Sequence, residues 1–280
     1  MHTQPLGPYL DFALATARDA GALIMSHFRR CDADYKPDGS EVTVADREAE
    51  LLIRAAITKH HPDHDILGEE FGREAAEAAP RSDGRPLWII DPIDGTTSFT
   101  WGIHAFGTLI ALVINDEPVV GVIHMPALDE SVFAAKGDGC WFRAGRAEAD
   151  RVRVAACDSL GAALVSASGV HATDIGPEID SPRYGLSRVL RRARKLRFCG
   201  DCLQHALVCR GRIHAAIDTI MQPWDIAALV PCIEEAGGTA TSLAGERKNI
   251  VYSGSLLTSA NNTLHQELLE ALAPDPASPE

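Results

Sequence analysis

The chain has 280 residues, 46% of them hydrophobic, and a formal net charge of −13. That length suits one large domain or two closely packed halves, and the charge argues against a nucleic-acid partner and against simple electrostatic capture of an anion. No apolar run approaches membrane-spanning length, no basic segment with an apolar core opens the chain, and seven scattered cysteines do not suggest a disulfide framework, so a cytoplasmic protein is expected.

Residues 1–7 read as a loose lead-in. From Pro8, the apolar Leu10, Leu14, Ala17, Gly21, Ile24 and Phe28 recur at helical spacing, which predicts an amphipathic helix to about Arg30. A polar segment from Lys36 to Asp46 leads into a second helix that ends before Pro62. Thr43 with Asp46 three residues on is a capping pattern, and a carboxylate at a helix start needs no catalytic role. His60 and His64 are four residues apart, but the intervening Pro62 breaks the helix and speaks against a zinc pair. Asp65 to Glu70 reads as a short strand delivering Glu69 and Glu70 at its end. Residues 72–86 read as an exposed loop.

The stretch from Trp88 to Phe99 carries the strongest chemical signal. A short apolar run predicts a buried strand breaking at Pro92, with Asp91 and Asp94 at its carboxyl end. Gly95 follows, and Thr96 and Thr97 are placed to open a helix. Ligands sit at the carboxyl ends of strands in α/β proteins, and free N–H groups at a helix start attract anions. Hard oxygen ligands beside such a cradle suit a Mg²⁺-dependent phosphate enzyme. Taken separately, Asp91-Pro92 and Asp94-Gly95 are each explained by turn chemistry.

Phe106–Asn115 and Pro118–Met125 predict an antiparallel hairpin, and Ser131–Lys136 with Cys140–Phe142 predict another around Gly137-Asp138-Gly139. The small polar residues 144–150 suggest a boundary between halves 1–145 and 146–280. The second half alternates strand and helix candidates: strands at 162–166, 196–198 and 213–217, and helices near 184–194, from about Cys202, from Gln222 to Glu235 and near 262–273. Arg188, Arg191, Arg192 and Lys195 share one face near residues 186–195, which reads as a solvated helix face before a nucleic-acid patch. Cys199 and Cys202 have redox spacing but no partner motif. Asp225 is explained locally as a first-turn acid. The Pro/Ala/Ser-rich end reads as a disordered tail.

Three separated motifs, Gly68-Glu-Glu70, the Asp91–Thr97 run, and Trp224-Asp-Ile-Ala-Ala228 followed by Glu235-Ala-Gly-Gly238, occur in an order that resembles the inositol monophosphatase family. The resemblance implies a layered α/β/α/β/α sandwich with a metal site in the cleft between halves, and a homodimer acting on a small phosphorylated metabolite. It implies two or three Mg²⁺ ions. Glu69, Asp91 and the carbonyl of Ile93 would hold the first, and Asp91, Asp94 and Asp225 the second. Asp46 would support a third through water. Asp94, Gly95 and Thr96 would form the phosphate cradle, and Thr96 with Glu69 would orient the attacking water. In-line attack by water would then invert the configuration at phosphorus. Glu41 is a departure, because a proline is common there in the family. The five acids would repel a phosphate dianion, and the metal ions would cancel or reverse that repulsion.

The substrate would be chosen by residues of the second half, namely Arg197, Asp201, Asp218 and Asp225. The Arg-x-x-Gly-Asp form at 197–201 resembles the histidinol-phosphatases of this family, a step of histidine biosynthesis. Asp201 is a suitable partner for a cationic substrate, or else merely caps the next helix. An inositol, other polyol or nucleotide monoester is the alternative. A non-catalytic scaffold should have lost metal-site acids, and all five are present.

Overall fold

The computed structural model describes residues 6–37, 39–73, 84–177 and 183–274. The chain begins with helix α1 (Gly7–His27), a small ribbon of β1 (Asp34–Tyr35) and β2 (Glu41–Val42), and α2 (Val44–His60). Then come β3 (Asp65–Gly68), β4 (Gly72–Arg73), β5 (Leu87–Asp94), the short α3 (Thr96–Thr100), β6 (Gly107–Ile114), β7 (Glu117–Met125), β8 (Glu130–Ala135), β9 (Gly139–Ala144) and β10 (Asp150–Val152). The remainder is β11 (Leu164–Ala167), α4 (Leu186–Arg192), β12 (Lys195–Phe198), α5 (Asp201–Cys209), β13 (Ala215–Asp218), α6 (Pro223–Ala227), α7 (Leu229–Glu235), β14 (Thr239–Thr241), β15 (Leu256–Ser259) and α8 (Asn262–Leu272).

The first large sheet runs β10-β9-β8-β7-β6-β5-β3-β4, and the second runs β12-β11-β13-β15-β14. Side chains alternate faces along a strand, and here both faces are apolar. On β5, Trp88 and Ile90 join Ala13, Ala17, Ile24, Ile53 and Ile57 from α1 and α2, whereas Leu87 and Ile89 face the other way. The second cluster packs that other face against Cys202, Ala206, Ile226, Leu229 and Ile233 from α5, α6 and α7. Ala216, Ala240 and Leu256 of the second sheet close the same layer. The far face of the second sheet, through Val165, Ile217 and Leu257, is covered by Leu186 and Val189 of α4 and Leu264 and Leu268 of α8. Five layers result, in the expected order α/β/α/β/α. The site lies where the carboxyl end of β5 meets the helices of the middle layer.

Several expectations need adjustment. The first helix stops at His27, where Phe28 turns into extended geometry with ψ 125°. The β5 ladder does not end at Pro92. It continues to Asp94 through an irregularity in its pairing with β6, and the freed Pro92 carbonyl accepts from Thr108 Oγ1 at 2.9 Å. The helix expected from Gln222 to Glu235 is two helices meeting at Ala228. The first sheet extends through β10, beyond residue 145. Of the expected exposed loop at 72–86, residues 72 and 73 form β4, while 74–83 lie outside the described residues, as do 275–280 of the expected tail. His61 and His64 stack on one another, and Trp88 Nε1 donates to His64 Nδ1 at 3.0 Å. On the basic face, Arg188 donates to the carbonyls of Ala271 and Ala273 at the end of α8. Among the described residues, no helix is long and apolar enough to cross a membrane.

Candidate active site

Asp91, Asp94 and Asp225 offer oxygens that all lie within 4.8 Å of one another. Two come from the irregular end of β5, and the third comes from the first turn of α6. Asp225 also completes a capping box, accepting from the Gln222 N–H at 2.7 Å. Its local role and its place in the cluster therefore coexist, because each carboxylate has two oxygens. Asp46 repeats the pattern: Oδ2 accepts from the Thr43 N–H at 2.8 Å and from the Thr43 hydroxyl, while Oδ1 lies 3.2 Å from Thr96 Oγ1. Thr96 Oγ1 is also 3.1 Å from the carbonyl of Ile93.

Burial and mutual repulsion disfavour ionisation throughout this group. Burial pushes Asp91 well above the usual carboxylate range, and the charges of Glu69, Asp94, Asp225 and Asp46 push it further. Asp94 is raised by burial, then by Asp201 and Asp225. Asp225 is raised to about 7, chiefly by burial, with Glu69 and Asp218 adding to it. Asp46 is raised by burial against the hydrogen bonds from Thr43. The five expected acids thus lie within electrostatic reach of one another. Asp91 Oδ1 is buried with no hydrogen-bond partner. A buried oxygen left unpaired inside an acidic cluster is costly, and a hard divalent cation would satisfy it. The donor set fits Mg²⁺.

Glu69 is held differently. Lys36, at the tip of the β1–β2 ribbon, places Nζ 2.9 Å from Glu69 Oε1 and 2.8 Å from Glu70 Oε1. Burial alone would lower the Lys36 ammonium, but Glu70 and Glu69 outweigh it and hold the pKa above its ordinary value. Burial raises Glu70 to about 7, against Lys36. The turn that carries both glutamates is gripped from behind by Glu50 of α2. Its oxygens accept from the N–H groups of Glu70 at 2.7 Å and Phe71 at 3.2 Å, and from Arg54 Nε at 2.8 Å. An added Cβ at Gly68 would stand 2.1 Å from Glu50 Oε1, so a larger residue there would push aside the carboxylate that grips the turn.

Gly95 has φ +88°, a conformation that favours glycine. An added Cβ there would lie 2.8 Å from Asp201 Oδ2 and 3.0 Å from the carbonyl of Ala105. Asp201 therefore sits directly against the expected phosphate cradle, with Ser98 Oγ donating to it at 3.3 Å. Burial raises Asp201 to about 6, and the charge of Asp218 adds to that. Asp218 itself is buried at the end of β13. Arg197 is exposed on the edge strand β12, outside this buried group. Glu41 has a use of its own, accepting from Thr100 Oγ1 at 2.9 Å and tying β2 to α3.

Sequence reading assigned nothing to Lys36, Glu50, Ser98 or His205. For Glu50 a signal existed: Asp46, Glu50 and Arg54 follow one another at four-residue spacing on one helix face. Lys36 and Ser98 had none, because their partners are remote in sequence.

The profile of the inositol monophosphatase family matches residues 6–275. A histidinol-phosphatase of Chlorobaculum parvum is 38% identical over 268 residues, covering 95% of this chain and 96% of its own. A fructose-1,6-bisphosphatase/inositol-1-monophosphatase of Thermotoga maritima is 35% identical over 266 residues, covering 94% of this chain and 95% of its own. The solved structure of an IMPase from Thermotoga maritima superposes with a TM-score of 0.80 at 32% identity, covering 94% of this chain and 96% of that one. With the whole described fold matched and an acidic cluster at the end of β5, the chain belongs to the inositol monophosphatase family, a family of metal-dependent phosphoric monoester hydrolases, and is an enzyme of that class.

Proposed function

We propose that the protein hydrolyses L-histidinol phosphate to L-histidinol and phosphate by Mg²⁺-dependent attack of water. The observation that carries the choice of substrate is the Asp201 carboxylate, set against Gly95 and steadied by Ser98. A carboxylate beside a phosphate cradle suits an ester that also carries an ammonium or imidazolium group, and ion-paired hydrogen bonds are strong ones. The name of the Chlorobaculum parvum relative supports the same reading. Halves 1–145 and 146–280 acting as one functional unit and a cytoplasmic location, both expected from composition, and a homodimer, as the resemblance implies, belong to this reading.

In it, Glu69, Asp91, the Ile93 carbonyl, Asp94 and Asp225 would hold two Mg²⁺ ions, with Asp46 supporting a third through water. Bound there, Mg²⁺ supplies Lewis acidity, a more acidic water and charge neutralisation. Asp94, Gly95 and Thr96 form the phosphate cradle, with the N–H groups of Gly95 and Thr96 directed at the ester oxygens. Thr96 has one hydroxyl proton, and Asp46 Oδ1 and the Ile93 carbonyl both compete for it as acceptors. Its lone pair is therefore turned to accept from the attacking water, whose other proton Glu69 takes. Asp201 and Asp218 would contact the leaving alcohol, with Arg197 reaching it only from the exposed rim and Asp225 at its border.

The test is a parallel rate measurement on L-histidinol phosphate and inositol 1-phosphate, repeated with Asp201→Asn. A lost charged hydrogen bond contributes about 1.5–3 kcal/mol. The variant should lose about ten- to a hundredfold in kcat/KM for histidinol phosphate. The rate on inositol 1-phosphate should change little. Equal losses on both esters would reduce Asp201 to a structural support, and a wild type preferring inositol 1-phosphate would select the alternative substrate.

A further inference from the structure

Beneath Asp218 lies a buried polar chain for which the hydrolytic chemistry has no use. Only 6% of the Asp218 side chain is exposed. His205 of α5 is fully buried, with Nε2 2.6 Å from Asp218 Oδ2 and Nδ1 2.9 Å from Oγ1 of Thr258 on β15. Gln204, also fully buried, donates from Nε2 to the same Oδ2 and to the carbonyl of Ile217. Its own Oε1 is buried without a hydrogen-bond partner. The amide is thus turned to donate to Asp218 while its acceptor goes unsatisfied, an arrangement that costs free energy. Two donors from α5, one of them backed by β15, converge on one carboxylate oxygen.

A core histidine bonded to a carboxylate is ordinarily just a satisfied polar pair. What distinguishes this one is where the carboxylate lies. The charge of Asp218 acts both on Asp201, at the Gly95 cradle, and on Asp225, in the acidic cluster. With Oδ2 taken by His205 and Gln204, Oδ1 is the oxygen left to meet a ligand. Because the Asp218 carboxylate oxygen accepts, His205 Nε2 is the donor to it, and Nδ1 is paired with the Thr258 hydroxyl.

We propose that Thr258, His205 and Asp218 form a specificity device, in which His205 is a positioning residue that locks the Asp218 carboxylate in one orientation as a fixed anionic contact for the cationic part of an amino-alcohol phosphate, a role that rests on the proposed substrate and on Asp218 touching it. A carboxylate already ordered before the substrate arrives gives up no orientational freedom on binding. A neutral polyol phosphate draws nothing from that charge, so the lock favours the cationic ester.

The experiment measures kcat and KM on the intact Mg²⁺-loaded enzyme with L-histidinol phosphate and with neutral glycerol 2-phosphate. It compares wild type, Thr258→Val, His205→Phe, His205→Gln and Asp218→Asn. Thr258→Val keeps the branched shape and removes the hydroxyl, so it reads the lock even if His205→Phe fails to fold. KM for histidinol phosphate should rise about threefold in Thr258→Val and about tenfold in His205→Phe, with kcat within about twofold. KM for glycerol 2-phosphate and the Mg²⁺ concentration for half activity should stay in place, which a general loss of structure would not allow. His205→Gln, whose amide still donates to Asp218, should recover part of the loss. Equal shifts on both esters overturn the inference. So does a selective loss in Asp218→Asn that neither Thr258→Val nor His205→Phe reproduces, since Asp218 would then bind substrate without needing to be positioned. If Asp218→Asn spares histidinol phosphate, the contact and the lock both fall. A wild type with no preference for histidinol phosphate over glycerol 2-phosphate overturns the proposed substrate, and this inference with it, before any variant is compared.

Discussion

Asp94 Oδ2, on β5, accepts a 2.5 Å hydrogen bond from the backbone N–H of Cys202, in the first turn of α5 and 108 residues away. Gly200, at the N-cap of that helix, has no side chain to offer it. A carboxylate of the acidic cluster therefore caps a helix of the middle layer, and the helix start in turn favours its negative charge.

Asp94→Asn and Asp94→Ala should separate the two roles. Both should nearly abolish Mg²⁺-dependent turnover. Asp94→Asn keeps an oxygen for the Cys202 N–H and removes repulsion with Asp91, Asp201 and Asp225, so its metal-free Tm should equal or exceed that of wild type. Asp94→Ala also loses the cap and should be less stable than Asp94→Asn by about 1–2 kcal/mol in chemical denaturation. Substantial turnover by Asp94→Asn would remove Asp94 from the metal site.

Thr96→Val should lower kcat by about a hundredfold, because the water that Glu69 deprotonates loses its orienting hydrogen bond, with KM changed by less than about threefold. Thr96→Ser retains the hydroxyl that lies near Asp46 and Ile93 and should keep most of the rate. Steady-state kinetics on both variants decide this. A Thr96→Val enzyme altered in KM alone would make Thr96 a substrate contact.

Lys36 Nζ pairs with both Glu69 and Glu70. With Glu69 as the metal ligand proposed above, a divalent ion would have to displace that ammonium or work against its charge. Lys36→Gln should therefore bind Mg²⁺ more tightly, by about threefold or more in calorimetric titration without substrate, a factor within reach of one partly exposed ion pair. Unchanged affinity would mean that Lys36 leaves Glu69 without cost.

His124 and His265 give the fold a pH dependence of its own. Burial, assisted by nearby Arg18, lowers His124 to about 4, and burial lowers His265 to about 4, both from 6.5. With folded values below unfolded ones, the unfolded chain takes up protons first as pH falls. Stability is then full above about pH 6.5 and declines toward pH 4, by roughly 3 kcal/mol for each histidine at most. Burial raises Glu70 and Asp225 to about 7 and Asp201 to about 6, and those acids gain stability over the same range as pH falls. The histidine is therefore read as a difference: in guanidinium unfolding at pH 7.5, 6 and 5 the wild type should lose stability relative to His265→Gln as pH falls, with a slope difference of up to about one proton. An equal slope in the variant would mean that another group carries the titration.

Much of the chain was legible because the information was local. Helical spacing in α1 and α2, the two hairpins β6–β7 and β8–β9, and the β5 turn with Asp91, Asp94, Gly95 and Thr96 each follow from periodicity and turn chemistry within about a dozen residues. The capping role of Asp46 was readable from spacing and its place among the cleft acids was what the resemblance implied, whereas its contact with Thr96 emerged only from the packing. Tertiary packing decided the rest. β14 alternates over only three residues, too few to stand out, and the four residues of β15 are buried throughout and show no alternation to read. Pro92 lies inside a ladder because Thr108 satisfies the carbonyl that the irregular pairing frees. The grip of Lys36 on Glu69, of Glu50 on the turn after it, of Cys202 on Asp94 and of His205 on Asp218 joins residues between 13 and 108 positions apart. Spacing along the chain says nothing about such pairs. The residue types that do the chemistry were set by the sequence, whereas the second partner of each carboxylate was set by how the layers stack, since only the packed sheets and helices bring those donors within hydrogen-bond reach.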